Sequence, residues 1–123
     1  MKWNTSGKRT TGSYWEQHAK AFLEKKGLTT LASNYYSRFG EIDLIMKDGN
    51  IFVFVEVKYR KSNQFGGAIS TISTKKQLNL TKTATIYLQQ EQLNAYNTAC
   101  RFDIVAIDGE QHAPTINWLK NAF

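Results

Sequence analysis

The run Ile51-Phe52-Val53-Phe54-Val55 is apolar on every residue and rich in β-branched and aromatic side chains. Such a run makes a strand covered on both faces, so it must lie in the middle of a sheet with packing above and below. It continues as Glu56-Val57-Lys58-Tyr59, where charge enters an otherwise apolar strand. Charges are costly there unless something compensates them. The strand over residues 51–59 therefore marks both the core and a candidate site.

The surrounding pattern completes an α/β chain. Residues 13–26 read as a first helix: Ser13 with Glu16 fits a capping box, Trp15, Ala19 and Phe22 share a face with Leu23 at its edge, and Gly27 is the stop. Residues 28–36 and 41–47 read as strands. The segment Lys47-Asp48-Gly49-Asn50 is a hairpin turn leading into the central strand. Residues 60–71 form a loop. Residues 73–90 form a second helix, with Ser73 as N-cap and Leu80, Ala84, Tyr87 and Leu88 as its apolar stripe. Residues 101–108 give a further strand, and residues 115–119 a short last one. The expected order is α-β-β-β-α-β, with a terminal β, in a mixed sheet flanked by helices. One domain over residues 12–123 follows a flexible basic arm, residues 1–11, carrying Lys2, Lys8 and Arg9.

The hairpin brings the charges together. Glu56 and Lys58 are two apart on one strand and share a face. A two-residue loop, Asp48-Gly49, or a four-residue loop over residues 47–50 places Asp43 opposite Phe54. Asp43 is then the diagonal neighbour of Glu56, about 7–8 Å away at the backbone. A three-residue loop would put the two acids on opposite faces. Two adjacent carboxylates on a half-buried sheet call for a divalent cation, and Mg²⁺ or Mn²⁺ is the expected cofactor. Lys58 beside them would assist an attacking water or neutralise charge on a phosphate. The competing reading is a cross-strand ion pair.

Other charges group around this centre. Lys76 heads the apolar stripe of the second helix and needs an anionic partner. Arg60 and Lys61 follow the central strand, and Arg38 precedes Gly40; all three are candidates for phosphate contacts. Glu16 either closes the capping box or reaches the sheet. Tyr35, Tyr36 and Tyr59 suit packing over base stacking, Arg101 with Asp103 a structural pair, and His18 a helix surface. The single cysteine, Cys100, allows no intrachain disulfide and has no activating base in sequence. With 16 Lys and Arg against 10 Asp and Glu, the net charge of +6 favours a polyanion partner. No stretch nears the roughly 18 apolar residues of a membrane span, and no secretory signal opens the chain, so a cytoplasmic location is expected.

At Gly40-Glu41-Ile42-Asp43-Leu44-Ile45 and Phe54-Val55-Glu56-Val57-Lys58 with Arg60, the sequence resembles the PD-(D/E)xK restriction-endonuclease-like nucleases. More closely it resembles the YraN-like family of small bacterial proteins. Phe65-Gly66, Lys76, Ala84, Tyr87-Leu88, Arg101-Phe102-Asp103 and Ala122-Phe123 extend the likeness over nearly the whole chain. The resemblance implies a restriction-endonuclease-like fold related to archaeal Holliday-junction resolvases. It implies Asp43 and Glu56 as metal ligands, Lys58 as catalytic lysine, and Glu16 joining from the first helix. Ile42 stands where the motif's name has proline. The expected function is metal-dependent hydrolysis of phosphodiester bonds in DNA, including branched or repair intermediates. The alternatives are an inactive nucleic-acid-binding module with this fold and a subunit that needs a protein partner. Resolution of branched DNA would favour a homodimer.

Overall fold

The computed structural model describes residues 7–60, 72–109 and 112–123, with side chains from residue 13 onward. Two helices, α1 (Gly7–Lys25) and α2 (Thr74–Gln90), accompany five strands: β1 (Thr29–Ser37), β2 (Gly40–Asp48), β3 (Ile51–Arg60), β4 (Cys100–Asp108) and β5 (Thr115–Leu119). The order α-β-β-β-α-β-β is the expected one. The sheet runs β1-β2-β3-β4-β5, so the apolar run lies in its central strand. β3 and β4 are parallel and the other neighbours antiparallel, making the sheet mixed. The parallel pair requires a crossover, and α2 lies within it.

Each helix covers one face. Trp15, Ala19 and Leu23 of α1 pack with Leu44, Met46, Val53 and Val55. Leu80, Ala84, Tyr87 and Leu88 of α2 pack with Ile45, Phe52 and Phe54 on the other side. Alternate β3 residues thus enter different cores, which is why the run shows no polar alternation. Leu23, expected at the edge of the α1 stripe, is fully buried, and Phe22 is the edge residue. Thr83 adds a polar lock to the α2 stripe: fully buried, it donates to Asn79 O at 2.9 Å and meets Ser37 Oγ of β1 at 2.7 Å.

Most strand and helix ends shift by a residue, and two differences from expectation bear on the site. Helix α1 begins at Gly7, so Ser13 is an interior residue and not its N-cap. Glycine and threonine at residues 7–12 lower helix propensity without forbidding it, and extending a formed helix costs far less than starting one. Residues 7–11 of the expected arm are therefore helical. Residues 1–6 lie outside the described residues, as does most of the expected 60–71 loop, including Phe65-Gly66. The second difference is the hairpin. Asp48 pairs with Ile51, so its loop is Gly49-Asn50 and not Asp48-Gly49 or residues 47–50. Gly49 has φ +62° and Asn50 has no positive φ, as in a type II′ turn with glycine first. The register moves by two residues. That keeps the residues of β2 from Leu44 to Asp48 on their expected faces, but sets Asp43 level with Glu56 instead of Phe54.

On β4, opposite Val55 of the central strand, Asp103 is fully buried and hydrogen-bonded. It accepts from Arg101 Nε at 3.0 Å, Trp118 Nε1 at 2.8 Å and Asn121 N at 2.9 Å, and Arg101 also meets Asp48 at 3.1 Å. Arg101 and Asp103 form the structural pair expected of them. Removing this acceptor leaves buried donors without a partner. Asp103→Ala is expected to lower the unfolding free energy by about 3 kcal/mol, read as a lower urea midpoint, with Asp103→Asn losing less.

Candidate metal and phosphate site

Strand β2 breaks its alternation at one residue. Ile42 packs on the α2 side and Leu44 on the α1 side, although residues two apart on a strand normally share a face. The residue between them is Asp43. The β2–β3 ladder begins only at Leu44↔Val55, and the β1–β2 ladder steps from Tyr35↔Ile42 to Ser33↔Leu44 past Asn34 and Asp43. Asn34 takes φ +52°, a left-handed conformation that asparagine tolerates better than most residues. Where the ladder stops, the Val57 N–H donates to Asp43 Oδ2 at 2.8 Å. The carboxylate thus does the work of a missing strand carbonyl, satisfying a backbone donor inside the sheet.

The break gathers acids. Glu16 from α1 and Glu41 and Asp43 from β2 each offer a carboxylate oxygen, and these oxygens all lie within 4.8 Å of one another. Asn34 holds two of them: its Nδ2 donates to Glu16 Oε1 at 2.8 Å and to Glu41 Oε2 at 2.6 Å. Both hydrogens of the amide are accounted for. Glu16 is thus the residue reaching the sheet, not half of a capping box. Burial drives the Asp43 carboxyl up to about 9, and the charges of Glu56, Glu16 and Glu41 push the same way against the Val57 bond.

Glu56 is buried on β3 and forms an ion pair with Lys76 Nζ at 2.5 Å. Ser73 caps α2 by accepting from Lys76 N at 3.1 Å, which fixes the turn from which Lys76 reaches inward. The Lys76 side chain is half exposed, so its stem runs along the surface while its amine meets the acid. Burial works against its charge. The Glu56 bond, with the charges of Glu56, Asp43 and Glu41, outweighs that and raises its pKa. Lys58 shows the opposite balance: burial, Lys76 and Arg60 lower its pKa, and Glu56 only partly opposes them. One lysine is held as a cation while its neighbour is eased toward the neutral amine.

The remaining candidates divide. Arg60 ends β3, exposed, with its carbonyl accepting from Gly109 N. Arg38 is exposed in the β1–β2 turn, 4.9 Å from the centre of the Phe39 ring. Lys61 lies outside the described residues. Tyr59 stacks on Trp15 at 4.2 Å and Tyr35 packs edge-on against Tyr87 at 5.2 Å, while Tyr36 is exposed. Cys100 opens β4, and burial raises its thiol pKa, away from a reactive thiolate. Glu41 and Asn34 were missed from sequence. Glu41 stands two residues before Asp43 on one strand, the same spacing that singles out Glu56 with Lys58. Asn34 carries no such signal, because its role comes from a backbone angle.

A pH signature follows. Asp43 has a folded pKa raised far above the ordinary 3.8. Between those values the folded chain keeps a proton that the unfolded chain has lost, so stability falls as pH rises through that window. Without divalent cations, the urea midpoint is expected to drop between pH 5 and pH 8. Asp43→Asn keeps an acceptor for Val57 and removes the titration, so its stability advantage over the natural chain should widen with pH. An advantage independent of pH would contradict this assignment.

A protein-family model matches residues 15–107. A UPF0102 protein of Colwellia psychrerythraea is 52% identical over the full length of both chains. Relatives from Enterobacter sp. (strain 638) and Yersinia pseudotuberculosis are each 46% identical over 94% of this chain, covering 86% and 95% of their own lengths. Among solved structures, SfsA of Pyrococcus furiosus, in complex with Ca²⁺, matches 92% of this chain and 63% of its own, at 11% identity and a TM-score of 0.38. The YraN-like resemblance of the motifs thus holds along the chain, which belongs to the uncharacterised protein family UPF0102.

Proposed function

We propose that this protein is a divalent-metal-dependent nuclease that hydrolyses phosphodiester bonds in DNA. The observation that carries the reading is the convergence of Glu16, Glu41 and Asp43 within 4.8 Å, beside the Glu56–Lys76 pair and Lys58. The fit to a metal is chemical. Hard carboxylate oxygens suit Mg²⁺ or Mn²⁺, and three of them from α1 and β2 lie within 4.8 Å of one another. Asp43 and Glu56 would hold the ion, with Glu16 and Glu41 as further oxygen donors. When bound, the metal would polarise a phosphate oxygen and lower the pKa of water.

The chain's own groups supply the rest. Lys58, its pKa lowered by burial and by Lys76, can orient the attacking water or donate to a phosphate oxygen. Lys76 can leave Glu56 when a metal neutralises that acid, and then pair with phosphate. Arg60, exposed at the end of β3, would position the backbone, as would Arg38 in the β1–β2 turn; Lys61 follows in sequence. A second reading, binding without turnover, draws on the same ion pair, because Lys76 already neutralises Glu56.

The test is nicking or cleavage of single-stranded, duplex and branched DNA with Mg²⁺ or Mn²⁺ and with EDTA. Glu56→Ala is expected to abolish metal-dependent cleavage, and Lys58→Ala to slow it by roughly two to three orders of magnitude. Equal activity in Glu56→Ala and the natural chain would overturn the enzyme. Salt-sensitive binding with no metal-dependent cleavage would favour the second reading.

A further inference from the structure

A cleft of about 270 Å³ lies between the β1–β2 turn and the first turns of α2. Phe39 and Leu80 supply apolar wall, and Lys75, Lys76 and Asn79 line the helical side. Glu41, a member of the acid cluster, lines it too. Phe39 is half-buried at the turn and draws two cations: the Arg38 guanidinium at 4.9 Å and the Lys82 amine at 5.0 Å from its ring centre. Arg38, Lys75 and Lys82 are all exposed. The cleft therefore joins an aromatic surface, a collar of positive charge and one wall of the candidate metal site.

We propose that this cleft receives one unpaired nucleotide of the strand to be cut, its base on Phe39 and its phosphates on Lys75 and the neighbouring cations. The substrate class is then single-stranded or flapped nucleic acid and not continuous duplex. The inference rests on the nuclease reading for the words "to be cut"; binding itself stands apart from it. In a duplex, each base has both faces covered by its neighbours and its edge by its partner. Only an unpaired base can enter a cleft without unstacking. An aromatic face accepts any base, while cations follow the backbone. Arg38 and Lys82 are long exposed side chains, so a base can replace either at the ring while its charge moves to a phosphate. Tyr35 and Tyr59 cannot serve in this way, because their rings are engaged in packing.

The experiment is fluorescence anisotropy with a labelled oligonucleotide as a single strand, as a blunt duplex and as a duplex with a single-stranded flap. Ca²⁺ replaces Mg²⁺ so that binding is read apart from turnover. The single strand and the flap are expected to bind more tightly than the blunt duplex. Phe39→Ala should weaken single-strand binding at least about fivefold and leave duplex binding within about twofold. Phe39→Trp should restore the affinity, which separates a stacking role from a folding defect. Lys75→Ala should lower the slope of log affinity against log salt by about 0.7. Preference for blunt duplex, or Phe39→Ala with unchanged single-strand affinity, overturns the inference even if metal-dependent cleavage is found. Phe39-dependent single-strand binding supports it even if cleavage is absent, an outcome that would remove only the enzyme.

Discussion

The hydrogen bond from the Val57 amide to the Asp43 carboxylate is the constraint on which the rest of the site depends. A sheet normally satisfies such a donor with a carbonyl on the next strand. Here β2 changes sides at Asp43, so the donor would be orphaned without that side chain. One acid thus closes a gap in the ladder and is anchored by closing it. The change of sides lets Ile42 fill the α2-side core while Glu41 stays near Glu16 of α1. A regular strand would have left Ile42 and Leu44 on one face.

Charge is distributed against the overall trend. The chain carries net +6, yet four carboxylates gather around its central strands. Burial penalises the Asp43 charge, and the charges of Glu56, Glu16 and Glu41 add to that penalty. Three groups offset it by different means: the Asn34 amide bonds Glu16 and Glu41, the Val57 N–H bonds Asp43, and Lys76 pairs with Glu56. The Val57 N–H bond lowers the Asp43 pKa without cancelling the effect of burial. In the proposed nuclease a doubly charged cation would offset this crowding, and the chain's excess of Lys and Arg would suit a polyanion.

Most of the architecture was legible in the sequence because it rests on periodicity. The β3 run, the Leu80, Ala84, Tyr87, Leu88 stripe and the Ser73 cap each carry a local pattern that tertiary structure reinforces. The start of α1 was not legible, since Gly and Thr dilute the helix signal that the buried Trp15-Ala19-Leu23 face sustains. The hairpin register was half legible. Parity survives a shift of two residues, so Asp43 and Glu56 were placed on one face for a sound reason, but the loop is Gly49-Asn50. Lys76 was found from its position on the stripe, and its amine does meet a carboxylate. Glu41 has the same two-residue spacing to Asp43 that Glu56 has to Lys58, so its place beside the site is legible from alternation alone.

Asn34 shows how fold and site become one problem. Its backbone lies at φ +52°, where a β-branched or bulky residue is strained. Glycine would tolerate the angle but carry no amide. Aspartate would approach it but add another carboxylate where Asn34 now bonds two. Glutamine offers the amide on a longer arm, without the local backbone bonds that ease asparagine into this conformation. Only asparagine meets the angle, the reach and the charge together. The same residue stands where β1 passes the break in β2, so the irregularity in one strand is matched by the irregularity in the next. The acids are therefore aligned by the sheet's own distortion, which lies between the two cores.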